Sequence, residues 1–116
     1  MEVRLAWYPA GDMDKAKEFY GNVLGLKQVF EMEGWAEFAH APEGTSIGVS
    51  ADPAHQGHNG ATVVLKVEDL DQTRSGLEGN GVRFEGDTEE IPGVVRIATF
   101  RDPFGNPLQL VQELVG

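Results

Sequence analysis

The sequence predicts an α+β fold built from two copies of one strand–helix–three-strand module, βαβββ, whose mixed sheets curve into a cup. Three observations lead there. Strand-like alternation and helical spacing follow one another in the same order twice, once on each side of a polar, Gly-rich stretch at 51–60. A short acidic motif, Asp12-Met-Asp and again Asp69-Leu-Asp, follows the first strand of each half. Pro42-Glu-Gly-Thr-Ser-Ile-Gly-Val and Pro103-Phe-Gly-Asn-Pro-Leu-Gln-Leu align as the lead into each closing strand. Similarity at half the chain length, in only two copies, means a duplicated module and not a solenoid. Module one is placed at about 1–51, the linker at about 52–60 and module two at about 61–116, all within a single domain.

Each element has a local reason. Residues 2–8 read as a strand that Pro9-Ala-Gly11 ends. Asp12 is a natural N-cap. Met13, Ala16, Phe19, Tyr20, Val23 and Leu24 then recur at helical spacing, and Gly25 is a helix stop. Strands follow at 26–32, 35–40 and 46–50, separated by Glu33-Gly34 and by Ala41-Pro-Glu-Gly44. In the second half, Ala61–Val67 is a strand. Asp69 caps a helix with Gln72 at the capping-box position, and Leu70, Thr73 and Leu77 share one face. Residues 81–84 lead into a short strand, 86–93 form an acidic loop, and 94–100 form another strand. Asp102-Pro103 and Gly105-Asn106 make a turn. Leu108-Gln109-Leu110 then alternates with period two, so Gln109 faces the side opposite the two leucines.

Composition limits the function classes. The chain has 116 residues, 41% of them apolar, enough for a real core. No apolar run reaches the roughly 18 residues of a membrane span. Met1-Glu-Val-Arg runs directly into strand-like sequence, so no secretory signal is expected, and a cytoplasmic location is. Without cysteine, disulfides, thiolate metal ligands and thiol nucleophiles are excluded. The net charge of −10 argues against nucleic acid and anionic membrane as partners. It serves solubility, and it also favours cationic small molecules. The serines lack a Gly-x-Ser-x-Gly elbow and the glycines lack a phosphate-loop ending.

Paired βαβββ modules, the Phe19-Tyr20…Leu24-Gly25 pattern and the ending Asp102-Pro-Phe-Gly-Asn-Pro-Leu-Gln-Leu resemble the vicinal oxygen chelate superfamily over essentially the whole chain. It is also called the glyoxalase, bleomycin resistance protein and extradiol dioxygenase superfamily. The resemblance implies a cup enclosed by two modules, often across a homodimer, and in the family's enzymes a divalent metal on cup-facing His, Glu or Gln. The four family ligand positions fall here on Leu5, Gly48, Thr62 and Gln109. One neutral amide among four positions is a poor donor set, so no metal and no other cofactor is expected.

The resemblance then points to the bleomycin-resistance branch: a metal-independent protein that binds a small molecule such as a cationic drug or metabolite. Trp7, Trp35, Glu37, Thr62 and Gln109 are its candidate ligand-binding residues. The tryptophans can stack on a planar guest or simply fill a small core. Glu37 can be a pocket carboxylate or part of a solvated face. The alternative is a metal-dependent lyase, isomerase or dioxygenase of the glyoxalase type that uses Glu37, His40, Gln109 and Glu113. His40 is expected at a surface or cup edge. His55 and His58 are expected in a solvated loop.

Overall fold

The structure, a computed structural model, describes residues 1–56, 60–103 and 105–114. The sequence expectations for His58 and Phe104 therefore lie outside the described residues. Residues 4–61 form one compact unit; residues from 62 onward, with residues 1–3, form another.

The first unit carries β1 (Glu2–Pro9, entering from residues 2–3), α1 (Met13–Lys17), β2 (Lys27–Met32), β3 (Trp35–Ala39) and β4 (Ser46–Ser50). Its strand order is β2-β3-β4-β1, antiparallel except for the parallel β4–β1 pair. One sheet face, with Ala36, Phe38 and Val49, packs on Ala16, Met13, Tyr20 and Leu26. Asp12 caps α1 as expected, accepting a hydrogen bond from the Lys15 amide. The continuous α-helix expected over 12–24 is not formed. After Lys17 the chain widens into a π-helical turn, Glu18–Val23, with the Leu24 N–H donating to the Phe19 carbonyl at 2.9 Å. Gly21 and Asn22 are weak helix formers and do little to resist the change. The wider turn alters the phase, so Phe19, Val23 and Leu24 stand 49%, 66% and 50% exposed instead of in the core.

The second unit repeats the order: β5 (Thr62–Lys66), α2 (Leu70–Gly79), β6 (Glu89–Ile91), β7 (Val95–Arg101) and β8 (Pro107–Glu113). Its strands run β6-β7-β8-β5, with β5 and β8 parallel, so each module pairs its first strand with its last. Val67, Leu70, Ala98, Phe100 and Leu110 form the core beneath α2. The side-chain oxygen of Gln112 accepts from the Leu70 amide at 2.8 Å, which ties the helix start to β8. The acidic loop expected at 86–93 instead contains β6. Glu90 lies opposite Arg96 across the β6–β7 pair, and Gly93, at φ +76°, makes the hairpin turn. Conversely, the short strand that residues 81–84 were expected to lead into shrinks to a single bridge, Phe84 to Phe100. The turn at 102–106 closes as expected. Asn106 donates to the Asp102 carboxylate through both its backbone and its side-chain nitrogens, each at 2.9 Å.

The Asp69 carboxylate accepts from the Gln72 amide at 3.1 Å and so satisfies one of the helix's open donors. Asp69→Ala is expected to cost about 1 kcal/mol, read from the urea midpoint at unchanged m-value. No loss would mean that the cap contributes nothing to stability.

Candidate functional site

The site is built on the face of the first unit turned away from α1. Register fixes who stands there. Leu5 is opposite Ser46 and Trp7 opposite Gly48; Glu37 is opposite Gly48, and Trp35 opposite Ser50. On the edge strand, Phe30 pairs with Glu37 and Met32 with Trp35, after a register shift between Gln28 and Phe30. One face thus brings together Leu5, Trp7, Phe30, Met32, Trp35, Glu37, Ser46, Gly48 and Ser50. It is mostly apolar. Leu5 and Trp7 are buried, while Phe30 and Met32 remain more than a third exposed.

The centre of this face is Trp35. The benzo edge of its indole covers Gly48: a Cβ built on Gly48 would come within 2.6 Å of Cζ2 and 2.7 Å of Cη2. Such separations are far inside van der Waals contact, so only glycine fits beneath the ring. Trp7 meets Trp35 edge to face, centroids 5.8 Å apart and planes at 68°. Trp35 is oriented by its Nε1–H, which donates to Glu37 Oε2 at 2.9 Å.

Glu37 is only 6% exposed. Its other oxygen accepts from Arg4 Nη2 at 3.0 Å and from the Ser46 hydroxyl at 3.3 Å, and Arg4 Nη1 donates to that same hydroxyl oxygen at 3.0 Å. A carboxylate buried this deeply needs such partners. The expected choice between pocket acid and solvated face resolves into a third arrangement. Glu37 is an anchor whose charge Arg4 balances and whose oxygens position the indole.

His55 also departs from expectation. The loop after β4 is not merely solvated: Pro53–His55 form a 3₁₀ turn capped by the Asp52 carboxylate, which accepts from the Ala54 amide at 2.9 Å. The His55 ring packs on Trp7 with centroids 5.0 Å apart, and its Nδ1 lies 2.6 Å from the Ser50 hydroxyl oxygen. The only sequence signal for this was the capped Asp52-Pro-Ala turn, which sets the five-residue reach from Ser50 to His55.

The remaining predicted residues belong to the second unit. Gln109 stands between Val64 and Thr99 on the face opposite α2, and its amide donates to the Thr99 hydroxyl at 3.1 Å. Thr62 is buried on β5. Glu113 pairs with Lys66 at 3.1 Å, and His40 is exposed just beyond β3, as expected. A surface concavity of about 600 Å³ at the start of α2, lined by Met1, Glu2, Lys66, Glu68, Asp69 and Gln72 among others, holds none of the predicted site residues.

The positions that the family resemblance assigns to metal ligands do not fit a divalent cation. Leu5 has no donor atom, and the space above Gly48 is taken by an indole. Thr62 and Gln109 offer neutral oxygens where charged or imidazole donors are usual. Among the described residues no three of His, Asp and Glu converge.

Comparison with known proteins agrees with the architecture. The family model described as Glyoxalase/Bleomycin resistance protein/Dioxygenase superfamily matches residues 4–110. No curated protein sequence matches. Among solved structures, methylmalonyl-CoA epimerase from Mycobacterium tuberculosis aligns with a TM-score of 0.78 at 22% identity, over 97% of this chain and 87% of that one. A glyoxalase/bleomycin resistance protein/dioxygenase superfamily member from Vibrio splendidus 12B01 aligns at 0.65 and 13%, over 96% and 98%. Homoprotocatechuate 2,3-dioxygenase from Brevibacterium fuscum, as its E323L mutant, aligns at 0.65 and 19%, over 97% of this chain but 32% of that one. At these identities the structures share the fold, which is the paired-module fold expected from the sequence.

Proposed function

We propose, for a chain that belongs to the Glyoxalase/Bleomycin resistance protein/Dioxygenase superfamily, that it binds a planar small molecule without using a metal. The observation that carries the reading is the Trp35 indole seated over Gly48, where the family resemblance places a metal ligand. An aromatic platform stands in place of a donor. Trp35, Phe30 and Met32 give the face its affinity for flat, apolar matter, and buried Trp7, edge to face with Trp35, fixes the platform's shape. Glu37 serves the guest indirectly by holding the indole. Thr62 and Gln109 are proposed as further polar contacts.

The net charge of −10 supports a neutral or cationic guest over an anionic one. It also supports the absence of nucleic-acid and membrane partners. No helix among the described residues is long and apolar enough to cross a membrane; a cytoplasmic location and a homodimer belong to the same proposal. Its family also contains metal-dependent enzymes, so the test is metal content. Purified protein is expected to contain substoichiometric Ni, Zn, Mn and Fe by elemental analysis, and to bind quinoline equally before and after EDTA. Stoichiometric metal whose removal abolishes an activity or that binding would overturn the proposal.

A further inference from the structure

We infer that His55 is the polar recognition group of the aromatic face, presenting an Nε2–H donor to a hydrogen-bond acceptor on the guest. The inference rests on the planar-guest reading above and narrows its ligand class to flat molecules bearing a ring nitrogen or carbonyl.

Ser50 is 1% exposed. Its oxygen accepts from the Asp52 amide at 3.3 Å and lies 2.6 Å from His55 Nδ1. Among the described residues the hydroxyl proton has one acceptor in reach, that Nδ1. A buried hydroxyl donor left unpaired is costly, so the bond runs from Ser50 to His55. The neutral imidazole must then carry its proton on Nε2. This selects the tautomer in the manner by which a bond at one ring nitrogen dictates the state of the other. Nε2 takes no partner among the described residues, and no buried side-chain nitrogen or oxygen there is left unsatisfied. Nε2 is therefore not sealed off among the described residues, in keeping with a half-buried His55.

The loop is also built to hold the ring still. The Asp52 cap fixes the turn, and the Gln56 amide donates to the Ser50 and Asp52 carbonyls, both at 3.1 Å. The imidazole packs tilted against Trp7, with planes at 46°, and Trp7 itself abuts Trp35. A fixed donor thus stands beside an otherwise aromatic platform, and such a donor discriminates between guests of equal shape.

Two probes of matched shape test this at pH 8: quinoline, which has an acceptor nitrogen, and naphthalene, which has none. Wild-type protein is expected to bind quinoline about tenfold more tightly, read from shifts of the tryptophan indole N–H signals. The ¹⁵N spectrum of His55 should show protonated Nε2 and bare Nδ1 in the free protein, and Nε2 should move when quinoline is added. The double variant Ser50→Ala/His55→Phe removes both polar partners while keeping a ring on Trp7. It should lose the tenfold preference and keep naphthalene binding. Equal affinity of the two probes for wild type, or a protonated Nδ1 in the free protein, would overturn this inference alone. Failure of both probes to bind would overturn the planar-guest reading and this inference with it.

Discussion

Gly48→Ala is expected to destabilise the protein by about 2–4 kcal/mol, a fall in melting temperature on the order of 10 °C. The added methyl would sit 2.6–2.7 Å from two carbons of the Trp35 ring and 3.0 Å from Trp7 Cβ. Backbone conformation is not the issue, since Gly48 lies in regular β4 strand and has no positive φ. The cost is overlap alone. To relieve it the indole must lift from the sheet and release its bond to Glu37. The proof is a double-mutant cycle. In a Trp35→Ala background the ring is gone, and Gly48→Ala should cost less than about 1 kcal/mol, a coupling of about 2 kcal/mol. Additive effects would mean that the ring does not depend on the glycine. Lifting the indole should also weaken quinoline binding in whatever Gly48→Ala protein remains folded.

The second large effect is expected at Arg4. Its guanidinium meets Glu37 at 3.0 Å, with the two side chains 25% and 8% exposed. Removing one member of a buried pair strands the other's charge, at about 3–5 kcal/mol when burial is complete. Arg4 reaches solvent, and Ser46 and Trp35 still donate to Glu37, so Arg4→Ala should cost about 2–4 kcal/mol, toward the lower end. Arg4→Met/Glu37→Gln removes both charges and keeps an amide near the indole, and it should recover more than half of that loss. Chemical denaturation at neutral pH reads both. An Arg4→Ala protein within about 0.5 kcal/mol of wild type would show that Glu37 is satisfied without its cation.

These two positions also show what the sequence could and could not convey. Asp12 and Asp69 were legible as caps because a cap is a local event: a side chain reaches an amide three residues on. Gly25 as a stop and the Leu108–Leu110 alternation were legible for the same reason. The π-helical turn was not. Phe19, Val23 and Leu24 keep helical spacing in the sequence, and only the packed structure decides that they stay out of the core. The β6 strand was hidden because Glu89-Glu90 has poor strand propensity, while its pairing comes from Arg96 and Val95 on β7.

For the site, the period-two alternation of strands is enough to put Leu5 with Trp7 on one face, and Trp35 with Glu37, as the register has them. It could not show that Glu37 is matched to Arg4, 33 residues away, because that contact depends on the order of strands in the sheet. Nor could it show that Trp35 covers Gly48. The glycine read as an empty ligand position, whereas the register makes it a seat. His55 was missed because an imidazole in a Gly-rich stretch has no periodicity to betray its orientation.

The seat under Trp35 has a consequence for how this chain could change. A metal-binding side chain at position 48 cannot be introduced first, because any Cβ there collides with the indole. Trp35 must be shortened beforehand, and that step alone gives up the Trp pair and leaves Glu37 without one of its donors. The route from this aromatic face to a chelating one therefore has a fixed order, and its first step is a loss. A library randomised at position 48 alone should return glycine; randomised jointly at 35 and 48, it should admit His or Glu at 48 only beside a small residue at 35.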